Sequence, residues 1–144
     1  MIVVDSNVIA YCWLNTAQTP RAQAVRLKDD DWHVPLLWRS EMRSILAGYM
    51  RNGSLTAKQA GQVMARVEQE LEGNEHLVES ADVLALVGSS TLSAYDCELV
   101  ALAQALGALL VTEDRAVLKA RPKDAVSMAV YARKGHRLAR VKPL

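Results

Sequence analysis

The sequence predicts an α/β fold, a mainly parallel sheet of short strands flanked by helices, and three observations carry that prediction. Short apolar runs alternate with longer segments of helical period along the chain, the pattern of βαβ units that places helices on both faces of a parallel sheet. The clearest runs are continuously apolar, as strands buried on both faces are. Finally, 144 residues of which 51% are apolar suffice for one core without disulfides or a structural metal, so residues 1–144 read as a single domain.

Taken in order, residues 2–4 form the first strand, a β-branched run ended by Asp5. The polar run Asp29-Asp30-Asp31 is a solvated turn before a second strand over 33–37. A third strand over 108–111 follows Gly107, a helix C-cap, and precedes Thr112-Glu113-Asp114, a helix start. Weaker strands fall at 76–79 and 125–128. Helical patterns cover 20–28, 38–50, 55–71, 81–87 and 95–106, the last with Leu99, Leu102, Ala103 and Leu106 on one face. The hairpin over 38–71, broken at Asn52-Gly53, is long enough to stand proud of the sheet.

The net charge of +1 conceals an asymmetry. From Lys119 onward there are eight basic residues against one acid, Asp124, leaving the body of the domain acidic. A basic segment over about 119–144 beside an acidic body suits a polyanion held next to a cation site, although a solvated terminus has the same composition. No apolar stretch approaches the ~20 residues a bilayer requires, and no export signal is read at the start. Cys12 and Cys97 stand in no metal-ligand or CxxC spacing, so a cytoplasmic location with two buried thiols is expected.

The acids are the informative residues. Asp5 and Asp114 lie just after strands, at the carboxyl edge where open α/β sheets bind ligands. Asp96 and Glu41 lie in the first turns of the helices over 95–106 and 38–50. Each alone has a plainer explanation, because carboxylates at helix starts cap N–H groups and favour the helix dipole by about 0.3–1 kcal/mol. Ser93 stands three residues before Asp96, close to a capping box. Together, on parallel strands, the four converge on one edge. Such a gathering is repulsive unless protons or cations neutralise it, and hard oxygen ligands suit Mg²⁺ or Mn²⁺. Glu98, two residues after Asp96, is turned about 200° away on the helix and is expected at the surface.

These residues resemble those of a PIN domain, and within that superfamily the chain is similar to the VapC-type toxin ribonucleases. The resemblance rests on IVVDSNVIAY at the start, Ser40-Glu41 opening a helix after an apolar strand, and LSAYDCELVALAQALGALLVTEDRAVL. It covers essentially the whole chain. It implies a single PIN-like, Rossmann-like domain with Mg²⁺- or Mn²⁺-dependent endoribonuclease activity, a homodimer held inactive by a cognate antitoxin. Asp5, Glu41, Asp96 and Asp114 match the four family acids in order. Thr112 matches the hydroxyl residue that accompanies the fourth, and Asn7 or Ser6 supports the first.

On that reading Asp5 and Asp96 hold a divalent ion directly, and Asp114 and Glu41 complete its sphere through a second ion or bound waters. Metal-activated water then cuts the RNA phosphodiester bond to leave 5′-phosphate and 3′-hydroxyl ends. Arg39, Arg43, Arg115 and the C-terminal basic cluster are candidate RNA contacts, supplying affinity with little sequence choice. Trp13, Trp32, Trp38, Tyr11, Tyr49 and Met50 are candidates for a dimer or antitoxin surface, with core packing expected for at least half. Two rivals remain: a catalytically silent RNA- or protein-binding module, and an aspartate-nucleophile phosphohydrolase, which wants a second Asp where Asn7 stands.

Overall fold

Val3 faces one side of the first strand and Ile2 and Val4 the other, and all three are buried. In the computed structural model, which describes residues 1–133, that strand, β1 (Ile2–Val4), is the centre of a five-stranded parallel sheet. β2 (Trp32–Pro35) lies on one side of it with β3 (Glu75–His76) beyond; β4 (Leu110–Val111) and β5 (Ala125–Val126) lie on the other. The order is β3-β2-β1-β4-β5, every pair parallel. The chain builds outward from β1 in one direction, then crosses to build in the other. The switch therefore falls between the carboxyl ends of β1 and β4, where such sheets open a crevice.

Alternation along the strands divides the core in two. Ile2, Val4, Trp32, Val34, Val111 and Val126 face one cluster, completed by α1 (Ser6–Trp13), α2 (Thr19–Lys28), α3 (Trp38–Arg51) and α4 (Ala57–Glu70). Val3, Leu110 and Ala125 face the other, under α5 (Ser80–Gly88), α6 (Ala94–Leu106) and α7 (Arg115–Ala120). Residues 128–133 are again helical. His136 and the basic Lys134, Arg137, Arg140 and Lys142 lie outside the described residues.

Most expected elements form within a residue or two of their expected ends. β3 and β5 are shorter than read. α1 is the element the periodicity does not announce: Val8, Ile9, Ala10 and Cys12 are all buried, so it has little polar face to create a helical period. The α3–α4 hairpin turns at Gly53 (φ 83°) as expected. Rather than standing free of the domain, it packs Met42, Leu46, Ala60 and Val67 into the first core cluster beside α1. Gly107 ends α6 in the left-handed region at φ 63°, where a Cβ would be strained.

Candidate active site

Asp5 leaves β1 as the N-cap of α1, yet its side chain makes no capping hydrogen bond. It accepts instead from Thr112 Oγ1 at 2.8 Å, across the β1–β4 junction. Thr112 is itself fully buried, and its Oγ1 also accepts from the Asp114 backbone N–H at 3.1 Å. One hydroxyl thus ties together the two loops that leave the strands at the switch. Burial raises the pKa of Asp5; the Thr112 hydroxyl and the backbone N–H groups of Asn7 and Ser6 oppose the rise, and the charge of Asp114 adds to it.

Glu41 projects from the first turn of α3. Its Oε1 accepts from Ser6 Oγ at 2.9 Å, so Ser6, 3% exposed, supports the second acid with its hydroxyl and the first with its backbone N–H. Asn7 contributes to Asp5 through its backbone, and its side chain is exposed. Burial raises the Glu41 pKa, the Ser6 hydroxyl lowers it, and the charges of Asp5, Asp96 and Glu98 raise it further. Asp96 sits where Ser93 caps α6, the Ser93 Oγ accepting from its N–H at 3.1 Å. Its pKa is raised by burial, lowered by Ser93, and raised by Asp114 and Asp5.

Asp5, Asp96 and Asp114 therefore bear on one another, Glu41 feels Asp5 and Asp96, and Glu98 joins through Glu41. The expectation that Glu98 faces solvent is corrected: it is half-buried, burial raises its pKa, and it bears on Glu41. Glu98 is turned about 200° from Asp96 along α6, and that side of the helix is partly covered. Asp5, Ser6, Asn7, Glu41, Ser44 and Ile45 line a cleft of about 280 Å³. A larger one, about 580 Å³, lies at the other end of α1 around Cys12, Trp13 and Arg26 and contains none of the acids.

Asp114 has two roles. Its Oδ1 caps α7 by accepting from the Val117 N–H at 3.1 Å, and its charge bears on Asp5 and Asp96. Arg43 and Arg115 are exposed. Arg39, the third candidate RNA contact, is engaged within the domain: its Nε and Nη2 donate to Glu75 at 2.6 and 2.8 Å, its Nη1 to Glu68, and its guanidinium lies over the Trp38 ring. Of the aromatic surface candidates, Trp32 and Trp38 are buried, and Tyr11, Trp13 and Tyr49 pack against the first core cluster. Met50 is exposed.

The chemistry of the donor set suits a hard divalent cation, because burial raises the pKa of four of the five carboxylates and repulsion between neighbours adds to the rise in Asp5, Glu41 and Asp96. Among the described residues, no three His, Cys, Asp or Glu side chains are gathered tightly enough to close around one ion.

The profile of the PIN domain matches residues 2–123. The chain belongs to the PIN-domain family. Its structure is similar to the crystal structure of PAE2754 from Pyrobaculum aerophilum, at TM-score 0.72 and 18% identity over 94% of this chain and 96% of that one. It is also similar to a chain of a toxin–antitoxin complex from Klebsiella pneumoniae, at TM-score 0.64 and 16% identity over 89% and 98%. No curated protein sequence matches it. At these identities the two structures show a shared fold. Among the described residues, no helix of this PIN domain is long and apolar enough to cross a membrane.

Proposed function

We propose that this PIN domain is a Mg²⁺- or Mn²⁺-dependent endoribonuclease of VapC type, the toxin of a type II toxin–antitoxin pair acting in the cytoplasm as a homodimer. The observation that carries the reading is the convergence of Asp5, Glu41, Asp96 and Asp114 at the sheet's switch point, with Thr112 and Ser6 holding two of them by hydrogen bonds. The toxin–antitoxin complex among the structural neighbours supports an antitoxin partner.

Asp5 and Asp96 would hold the cation directly, and Asp114 and Glu41 would complete its sphere through a second ion or bound waters. When bound, the ion activates a water and neutralises charge on the scissile phosphate. Thr112 keeps Asp5 aimed into the cleft, and Ser6 does the same for Glu41. Arg43 and Arg115, exposed beside two of the acids, are placed to contact flanking phosphates. His33 and His76 are engaged with each other at 2.8 Å on β2 and β3, and no acid–base role is assigned to them.

The test is cleavage of structured RNA by protein loaded with Mg²⁺ or Mn²⁺, beside Asp96→Asn. The expected result is metal-dependent cleavage leaving 5′-phosphate ends and lost in the variant. Equal cleavage by both, or none by either at high enzyme, refutes the site and leaves a silent binding module as the better reading; a phospho-aspartate trapped at Asp5 would instead favour a phosphohydrolase.

A further inference from the structure

The chain has seven aromatic side chains, three Trp and four Tyr, all among the described residues. Six are accounted for by packing. Trp32, Trp38 and Tyr131 are buried; Tyr11, Trp13 and Tyr49 lie against the first core cluster. Trp13 also meets Trp32 edge-on and carries Arg26 over its ring, and the Tyr131 hydroxyl donates to Asp29. Tyr95 is the exception. It is 66% exposed, belongs to neither core cluster, and makes no hydrogen bond or ring contact among the described residues.

Its position is specific. Tyr95 immediately precedes Asp96 in the first turn of α6, and Glu98, three residues on, shares its face of the helix. Viewed along α6, Tyr95 lies between Asp96, about 100° to one side, and Glu98, about 60° to the other, so its ring stands on the helix face that carries both carboxylates. An aromatic ring at the rim of a five-carboxylate site is unusual in what it offers a polyanion. It provides a flat, uncharged surface where every nearby acidic group repels, and each nucleobase has a π-face to lay on such a ring whatever its sequence.

We propose that Tyr95 is the stacking platform for a nucleobase of single-stranded RNA next to the phosphodiester held at Asp5 and Asp96. The inference rests on the ribonuclease reading above. It requires the RNA to be unpaired at that position, because a base can reach the ring only when splayed from a helix. Tyr95 thereby sets register: with one base on the ring, the adjacent phosphate falls at the carboxylates.

The experiment uses short RNA oligonucleotides carrying 2-aminopurine at successive positions, bound to the Asp96→Asn protein in Mg²⁺ with Tyr, Phe or Ala at position 95. Expected is dimming of the 2-aminopurine at one position, retained in Tyr95→Phe and lost in Tyr95→Ala, with binding weakened about tenfold to a hundredfold, the range a single base–aromatic stack contributes. An unchanged melting temperature in Tyr95→Ala checks the fold, as suits an exposed side chain. Equal affinity and equal dimming in the Ala variant overturn the proposal. If this occurs while protein with all four acids intact still cleaves RNA only with metal, the ribonuclease reading stands and the stacking role alone falls.

Discussion

Ser6 and Glu41, thirty-five residues apart, are joined by a hydrogen bond of 2.9 Å from the first residue of α1 to the first turn of α3. The serine is buried, so its hydroxyl has one well-defined acceptor. Ser6→Ala is expected to leave Glu41 free to swing and to reduce Mn²⁺ affinity and cleavage about tenfold to a hundredfold, the usual cost of losing a partner that orients a metal ligand. Ser6→Thr, which keeps the hydroxyl, should recover most of the loss. In a Glu41→Gln background Ser6→Ala should add little, because the two act as one unit. Isothermal titration with Mn²⁺ reads all three; additive losses would mean that Ser6 acts through the packing of α1 instead.

The buried acids also set a pH dependence. Asp5, Asp96 and Glu41 all have folded-state pKa values raised chiefly by burial, from ordinary values of 3.8, 3.8 and 4.5. Well below those ordinary values, at about pH 3 and lower, they are neutral both folded and unfolded, and their contribution to stability is fully present. As pH rises the unfolded chain ionises first, and that contribution is lost as the folded acids are forced to ionise. Asp29, Glu70 and Glu75, whose pKa values are lowered, act in the opposite sense, so the wild-type curve alone mixes the two. Asp5→Asn isolates one group. In EDTA it should match wild type near pH 3 and melt higher than wild type at pH 7. With excess Mn²⁺ the order should reverse, since bound metal stabilises the protein that binds it. A difference independent of pH in EDTA would refute the electrostatic origin.

Arg39 should prove structural. Glu75 accepts from Arg39 Nε, Arg39 Nη2 and Trp38 Nε1, and these contacts hold its carboxylate well below the ordinary range, the Arg39 hydrogen bonds foremost. Arg39→Ala leaves that half-buried carboxylate with the indole alone and uncovers the Trp38 ring. A loss of about 1–3 kcal/mol in urea denaturation is expected, with RNA affinity unchanged. Arg39→Lys should recover only part of the stability, because an ammonium cannot reproduce the two-pronged contact. Weaker RNA binding at full stability would restore Arg39 as an RNA contact.

These contacts show where a sequence is readable and where it is not. β1 is legible because Ile2, Val3 and Val4 are buried on both faces and nothing polar interrupts them before Asp5. Gly107 is legible because a left-handed C-cap selects glycine. α1 is hidden because helices on several sides bury it, erasing the period that would mark it. The gathering of Asp5, Asp96 and Asp114 at one edge follows from strand ends and helix starts. The partner of Ser6 and the environment of Glu98 depend on how α3 lies against α1 and α6, a tertiary relation that no local pattern encodes. The partners of Arg39 are hidden for the same reason: its anions, Glu68 and Glu75, come from α4 and β3.

Asp114 allows stability and chemistry to be separated at one position. Its Oδ1 caps α7 through the Val117 N–H, while its negative charge bears on Asp5 and Asp96. Asparagine caps a helix about as well as aspartate, whereas alanine forfeits the cap at about 1 kcal/mol. Asp114→Asn is therefore expected to keep wild-type stability or gain slightly in EDTA, as repulsion in the cluster is relieved, and still to lose about a hundredfold in metal-dependent cleavage. Asp114→Ala should lose cleavage to a similar extent and melt several degrees lower. Thermal denaturation in EDTA set beside cleavage rates in Mn²⁺ distinguishes the two roles. If Asp114→Asn cleaves at the wild-type rate, the fourth carboxylate is only a cap, and the cation is held by Asp5, Asp96 and Glu41 without it.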